Sequence, residues 1–184
     1  MLEQAARRRV IARGEPLFLA GQPCPCLFVI NEGLVKMVYE TAAGDMWVKG
    51  FAEPGICFAS LNALEPAGRT SFSAYAELDS CVDQIDYAVV MQLADRHMAW
   101  QRAIGNALKI YGQRKERREM ELLTLSPEER YRKFVQDHPH LVAVLRQRDI
   151  ASFIRVTPVA LSRIKSRQAE IHPDKMDPRL RGDD

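Results

Sequence analysis

Residues 147–167 hold the side chains best suited to recognising a partner. Between Arg146 and Arg167 the sequence has six basic residues and one acidic residue, Asp149. Clustered Arg and Lys side chains are the electrostatic signature of a surface that binds a polyanion such as DNA. The same charges could lie on the solvated face of an ordinary helical hairpin, so charge alone leaves both interpretations open.

Local signals within this stretch favour a helix-turn-helix. Asp149 is a candidate N-cap for a first helix that runs to Ile154, and Thr157 with Pro158 predicts the start of a second helix. The turn between them has about three to four residues, and the small Ala151 allows the two helices to approach closely. Caps, turn length and charge together favour DNA binding over a solvated hairpin.

The second of these helices is predicted to have an apolar and a polar face. The apolar face is assigned to Val159, Leu161 and Ile164. The side chains predicted to face solvent are Ser162, Arg163, Lys165, Ser166 and Arg167. A helix of this kind can pack on its partner helix and still present donors outward.

The cysteines and histidines form no recognisable site. The four cysteines include no Cys-x-x-Cys pair, which argues against a zinc or redox motif. Cys24 and Cys26 are separated by one proline, and a metal or cluster there is the minor alternative to ordinary thiols. His138 and His140 also flank a proline, which favours a helix end and a turn over a ligand pair.

No arrangement for catalysis is visible. The sequence shows no nucleophile–base set, no metal-ligand spacing and no Gly-rich phosphate loop. We therefore expect neither an enzyme nor a metal site.

Composition and charge point to two functional halves. The 184 residues are 47% hydrophobic and 27% charged, which excludes collagen, a coiled-coil rod and wholesale disorder. The net charge of +2 conceals an acidic half, residues 1–100 with 8 basic and 12 acidic side chains, and a basic half with 18 and 12. No apolar run is long enough to span a membrane and no secretory signal is recognised near Met1, so we expect a cytoplasmic protein.

The first half has the pattern of antiparallel β-structure. Short apolar segments alternate with turn residues at spacings of about 10 residues, which is typical of a sandwich or barrel. Strands are predicted at residues 17–20, 27–30, 34–39, 46–52, 71–76 and 81–85. We therefore predict a β-roll.

The second half is predicted to be helical. A short amphipathic helix is expected over residues 87–95, and residues 98–123 lack proline and predict a long helix. Its apolar stripe, interrupted by two basic residues, consists of Ile104, Leu108, Tyr111 and Leu122. Such a stripe must bury against the chain's own β-domain or against a second copy of the helix.

A further helix is expected to start at Ser126. Ser126 is the N-cap, Pro127 occupies the first helical position and Glu129 completes a capping box. His138, which precedes a proline, is expected to end it.

Three motifs follow one another along the chain: turn glycines between the predicted strands, the segment Ser-Pro-Glu-Glu-Arg-Tyr at residues 126–131, and Asp-Ile-Ala-Ser-Phe-Ile-Arg-Val-Thr-Pro-Val-Ala-Leu-Ser-Arg-Ile at residues 149–164. In this order they resemble the Crp/Fnr family of bacterial transcription regulators. The implied fold class is α+β: an N-terminal antiparallel β-roll (jelly roll) of the cyclic-nucleotide-binding type, a long dimerisation helix and a C-terminal helix-turn-helix (winged-helix-like) domain.

The resemblance also implies a domain order and a function. We expect a β-roll sensor at residues 1–96, a dimerisation helix at 97–125, a helix-turn-helix domain at 126–170 and a flexible tail at 171–184. The implied protein is a homodimeric, sequence-specific regulator that binds palindromic double-stranded DNA, contacts RNA polymerase and has no membrane partner. The alternative is a ligand-sensing or protein-interaction module with a degenerate DNA-binding end.

The resemblance assigns roles to the second helix of the motif. Pro158 and Val159 replace an Arg and a Glu that read bases in the best-known members, whereas Arg163 retains a third reading position and is expected to contact guanine. The residues expected at DNA are Thr157, Val159, Ala160, Ser162, Arg163, Lys165, Arg167, Arg146 and Arg148. Arg155 stands in the turn where the family usually has Gly, which tolerates positive φ.

The roll is expected to hold an effector that the sequence does not define. Its candidate pocket residues are Phe58, Ser60, Arg69 and Thr70. In cyclic-AMP-binding members a Glu contacts the ribose and an Arg binds the phosphate. Here Ser60 replaces the acid and Arg69 falls one residue early, so we expect no cyclic nucleotide and no cofactor. The cysteine spacing also differs from that of the family's iron–sulfur members.

Overall fold

The chain divides into two units between Lys115 and Glu116. The computed structural model describes residues 6–171, with side chains as far as Gln168. The tail predicted over residues 171–184 lies outside the described residues, apart from the backbone of Ile171.

The first unit contains two four-stranded antiparallel sheets. Its strands are β1 (Ala6–Ile11), β2 (Pro16–Phe18), β3 (Cys26–Glu32), β4 (Val35–Glu40), β5 (Met46–Ala52), β6 (Cys57–Phe58), β7 (Ser73–Ala76) and β8 (Ser80–Asp86). The strand orders are β1-β8-β3-β6 and β2-β7-β4-β5. The predicted antiparallel β-roll is therefore confirmed.

Alternating side chains explain how the two sheets bury one core. In β3, Cys26, Phe28 and Ile30 are buried whereas the residues between them are half-buried, as expected for the two-residue repeat of a strand. Phe28 packs on Phe18 of the other sheet with ring centroids 5.4 Å apart, and Phe72 lies at the same distance from Phe18. The apolar positions of both sheets thus meet in a single cluster.

Two strands were not predicted from the sequence. Strand β1 contains Arg7, Arg8 and Arg9, and it is held by antiparallel pairing with β8, including an Arg8–Asp83 ion pair at 2.9 Å. Strand β6 has two residues and pairs with β3. Neither has a local apolar pattern that would predict it. Each is stabilised by pairing with a strand distant in sequence.

The helices are α1 (Leu61–Leu64), α2 (Tyr87–Arg96), α3 (Met98–Thr124), α4 (Pro127–Asp137), α5 (Pro139–Val144), α6 (Gln147–Phe153) and α7 (Pro158–Ile171). The predicted long helix and the capping box at Ser126 are confirmed. Helix α5 was not predicted. The proline after His138 predicts only that α4 ends, but it also occupies the first position of α5. None of the described helices is long and apolar enough to cross a membrane.

Candidate functional site

Helices α6 and α7 form the predicted helix-turn-helix in the second unit. Helix α7 begins at Pro158, and the Thr157 hydroxyl accepts a hydrogen bond from the backbone N–H of Ala160 at 3.1 Å. This confirms Thr157 as the N-cap. The N-cap of α6 is Arg146 rather than Asp149, so that prediction was wrong. Asp149 lies within the first turn, where the helix dipole favours a carboxylate.

The turn between the two helices requires an unusual backbone conformation. Arg155 has φ of 61°, a region that glycine adopts easily and other residues rarely adopt. The backbone N–H of Val156 donates to the carbonyl of Ala151 at 3.0 Å, which holds the chain as it reverses. Arg155 therefore occupies a position whose backbone conformation suits Gly.

The buried face of the motif is made by five apolar side chains, each no more than 3% exposed: Ile150, Ala151, Ile154, Leu161 and Ile164. Val159 was also expected in this core, and that prediction was wrong because its side chain is 62% exposed. Leu161 and Ile164 are three residues apart and share one helix face, whereas a residue two positions before Leu161 points away from it. Val159 is therefore free to contact a partner.

The polar face of α7 carries the expected recognition residues. Val159, Ser162 and Arg163 are exposed, at spacings of three and four that place them on one face. The other candidates fall into two groups: Thr157, Arg167, Arg146 and Arg148 are exposed, and Ala160 and Lys165 are half-buried. The structure thus places an arginine, a hydroxyl and an apolar side chain together on an outward helical face.

One candidate arginine is already engaged. A terminal nitrogen of Arg167 lies 3.0 Å from a carboxylate oxygen of Glu128 in the first turn of α4. No local sequence pattern indicates this pair, since the two residues are 39 positions apart. A partner anion at Arg167 would compete with Glu128, whereas no such ion pair is seen for Arg163 among the described residues.

In the roll, the candidate effector residues are tied to the protein itself. The Ser60 hydroxyl accepts from the backbone N–H of Ser71 at 2.9 Å, and Ser60 is 2% exposed. The Thr70 hydroxyl donates to the carbonyl of Leu19 at 2.5 Å. The exposed Arg69 donates to the carbonyl of Gly21 at 2.8 Å. The first two residues fix the loop that follows α1, and Arg69 is anchored on its outer side.

These residues do not fit a cyclic nucleotide. Phe58, the fourth candidate, packs on Phe28 with ring centroids 5.7 Å apart and so belongs to the aromatic cluster. No carboxylate stands at Ser60, and the Arg69 guanidinium is held by a backbone carbonyl. Among these four residues there is therefore neither a carboxylate to accept from a ribose nor a guanidinium without a protein partner for a cyclic phosphate.

Lys49 of β5 is a basic side chain of the roll that sequence patterns did not identify. Its ammonium lies 4.6 Å from the ring centre of Phe72 and 5.9 Å from that of Tyr111 on α3. Burial lowers the pKa of Lys49 to about 8, with a smaller effect from Lys115. Burial is the main reason that the pKa of the Tyr39 hydroxyl is raised, and the nearby Tyr111 raises it further.

The apolar stripe of α3 remains largely uncovered in the single chain. No described residue of α3 is buried. Leu108 is 52% exposed and Tyr111 38%, whereas Ile104 and Leu122 are half-buried. Leu108 and Tyr111 thus leave apolar surface of α3 exposed to solvent.

Burial raises the pKa of three of the cysteine thiols, Cys24, Cys26 and Cys57. Burial is the main reason that the pKa of Cys26 rises to about 11. In the described part of the chain, no group of three or more His, Cys, Asp or Glu side chains could hold a metal ion. Protonated thiols are poor nucleophiles and metal ligands.

Known proteins match the first unit in sequence and most of the chain in structure. Residues 8–97 match the family model described as cyclic nucleotide-binding domain. No curated protein sequence matches the chain. The structure of FixK2 from Bradyrhizobium japonicum is similar over 91% of this chain and 86% of that chain, with 19% identity and a TM-score of 0.79. Residues 8–97 thus resemble a cyclic nucleotide-binding domain in sequence, and the chain has the Crp/Fnr fold.

Two further structures share this Crp/Fnr fold. The c-di-GMP responsive global regulator CLP of Xanthomonas campestris is 15% identical, over 91% of this chain and 88% of that chain, with a TM-score of 0.72. A protein from Eubacterium rectale, described as a transcriptional regulator of the crp/fnr family, is 9% identical over 93% and 81%, with a TM-score of 0.73. The resemblance inferred from the motifs is confirmed.

Proposed function

We propose that this protein is a sequence-specific, DNA-binding transcription regulator of the Crp/Fnr type, with α7 as its recognition helix. The observation that carries the proposal is the exposed face of Val159, Ser162 and Arg163 on a helix whose opposite face is buried against α6. A major groove admits one α-helix, and an arginine there can donate two hydrogen bonds to guanine. Val159 then contacts a thymine methyl group and Ser162 a base or a phosphate.

The remaining polar and basic candidate residues supply affinity rather than sequence preference. Arg146, Arg148 and Thr157 are exposed at the starts of the two helices of the motif, where side chains and backbone N–H groups suit phosphates. Lys165 and Arg167 extend the basic surface along α7. Binding through these groups falls with salt, because each phosphate contact releases a counterion.

The functional form is a homodimer paired through α3. Its exposed apolar residues, including Leu108 and Tyr111, are supported in this role by the absence of any buried residue in the described helix. A twofold pair of recognition helices matches a palindromic site. In this proposal the protein acts in the cytoplasm without catalysis, RNA polymerase is a further partner, and the roll senses an effector other than a cyclic nucleotide.

The decisive experiment measures binding to DNA selected from a random library. Wild-type protein should prefer one palindrome over scrambled DNA, and Arg163→Ala should reduce that preference by about tenfold, since one bidentate base contact is worth about 1–3 kcal/mol. Arg148→Ala is the matched control and should weaken both DNAs equally. Two salt concentrations separate the electrostatic part from the specific part.

Uniform binding of all sequences by the wild type would overturn the proposal. It would favour the alternative, in which the roll acts through protein partners and the DNA-binding end is degenerate. Dimerisation is checked by sedimentation of the wild type against Leu108→Glu, which places a charge on an exposed part of the stripe. A monomer in both samples would refute pairing through α3.

A further inference from the structure

Two arginines outside the recognition helix converge on the end of α6. Arg118, in the C-terminal part of α3, donates from its guanidinium to the carbonyl of Phe153. The centre of the same guanidinium lies 4.2 Å from the centroid of the Phe153 ring. A flat cation that stacks on a ring and donates to the same residue's backbone is held in one geometry.

Arg130 of α4 holds the next carbonyl. Its Nε donates to the carbonyl of Ile154 at 2.8 Å, and one terminal nitrogen donates to the carbonyl of Leu125 at 2.7 Å. The last carbonyls of a helix lack partners within that helix, and they carry its negative dipole end. Two guanidinium groups therefore supply both hydrogen bonds and favourable charge at the C-terminus of α6.

An ion-pair network supports the first of these arginines. Glu121 lies 3.9 Å from Arg118 and 3.7 Å from Lys133 of α4. Burial lowers the pKa of Arg118, which Glu121 opposes and the neighbouring Arg155 and Arg130 reinforce. A partly buried arginine among other arginines is favourable only with such partners.

The two carbonyls lie immediately before the turn that leads into α7. Arg155 follows Ile154 and has φ of 61°, so this turn is not a relaxed conformation that the chain would adopt unaided. Fixing the carbonyls of Phe153 and Ile154, which lie in the two peptide groups that flank Ile154, limits the rotation of the backbone as it enters the turn. The direction in which α7 leaves the turn is then set relative to the C-terminal part of α3, which belongs to the same unit.

We propose that Arg118 and Arg130 are positioning residues for DNA recognition: they lock the end of α6 to α3 and α4 and so fix the direction of the recognition helix. The inference rests on the proposed function. When two copies bind one palindrome, the direction of each recognition helix within its own unit affects which spacing between half-sites is accepted.

The test compares Arg118→Gln with Arg117→Gln. Arg117 is exposed on the same turn of α3, so the control loses the same charge without losing the clamp. Binding is measured on the selected palindrome and on versions with one or two base pairs added or removed between the half-sites. Arg118→Gln should lower the preference for the original spacing by about tenfold, as expected for a lost charge-assisted hydrogen bond that orients the helix. Arg117→Gln should keep it.

Amide hydrogen exchange of the free full-length protein gives a second readout that needs no DNA. In Arg118→Gln and in Arg130→Gln, exchange should accelerate at Arg155 and Val156, whose N–H groups bond within the turn. Amide exchange at the buried residues of α7 should be unchanged.

Three outcomes overturn the positioning role. Unchanged spacing preference in Arg118→Gln overturns it, and so does unchanged exchange at the turn. A uniform loss of affinity at every spacing, with faster exchange throughout the unit, shows that the arginines only stabilise the fold. If the wild type itself has no preferred site, the proposed function fails, and the exchange data still show whether the clamp holds the turn.

Discussion

Replacing Lys49 by Met should stabilise the roll near neutral pH and change how its stability depends on pH. The half-buried ammonium lies over the Phe72 ring at 4.6 Å, and in the described chain it makes no hydrogen bond or ion pair. Burial lowers its pKa from 10.5 to about 8. Met has a similar length and no charge, so it can fill the same space without the desolvation penalty.

The magnitude follows from the shift in the pKa. The native state binds the proton of Lys49 less readily than the unfolded state, so the penalty is fully present below pH 8 and is relieved as the pH rises from about 8 to 10.5. At about 1.4 kcal/mol per pKa unit the penalty is about 3 kcal/mol. The variant also loses the cation–π contacts, which reduces its gain in stability by about 1 kcal/mol. We expect Lys49→Met to be more stable by about 2 kcal/mol at pH 7.

The assay is urea unfolding followed by tryptophan fluorescence from pH 7 to 10.5. Trp47 and Trp100 both lie in the first unit and report on it. The advantage of Lys49→Met should decrease across this range, whereas Lys109→Met, which removes an exposed lysine, should follow the wild type. A variant that is less stable at pH 7, or a difference that does not change with pH, would refute the reasoning.

Three further predictions concern other parts of the chain. Ser126→Ala removes the capping box of α4 and should destabilise the second unit by about 1 kcal/mol in thermal unfolding followed by circular dichroism; no change in Tm would contradict it. Gly33→Ala should cost about 2 to 4 kcal/mol in urea unfolding, because φ is 89° and a Cβ would lie 2.3 Å from a backbone oxygen. Gly44→Ala, with φ of 85° and open space, should cost about 1 kcal/mol, and equal losses would exclude the steric explanation. Glu128→Gln frees Arg167 and should raise the affinity for non-specific DNA by about twofold to fivefold at low salt, with a steeper salt dependence; an unchanged affinity would show that the ion pair does not compete with phosphate.

Elements with strong local signals were predictable. Strand β5 (Met46–Ala52) coincides with its predicted segment, and α3 (Met98–Thr124) extends the predicted helix by one residue. Strand β1 was not predicted, because Arg8 is stabilised in a strand by Asp83, 75 positions away. Helix α5 was missed because a proline after His138 can either end one helix or begin another.

Only part of the candidate site could be predicted, because some of its contacts join residues that are distant in sequence. Arg163 and Ser162 were placed correctly on the outer face of α7, since helical spacing fixes which residues share a face. Val159 was assigned to two incompatible roles, and only its exposure of 62% decides between them. Lys49 was not identified, because its environment comes from a ring of the core and a ring on a distant helix.

The sequence by itself determined the parts whose partners lie within a few residues. The caps at Ser126 and Thr157 are of this kind, since each hydroxyl bonds a backbone N–H three residues later. Only the tertiary structure decided which arginines are already engaged. Arg118 and Arg167 are held by groups 35 and 39 positions away, and no local pattern encodes such contacts. The cluster of basic residues between Arg146 and Arg167 therefore predicts an anionic partner, whereas the fold decides which of these side chains are exposed.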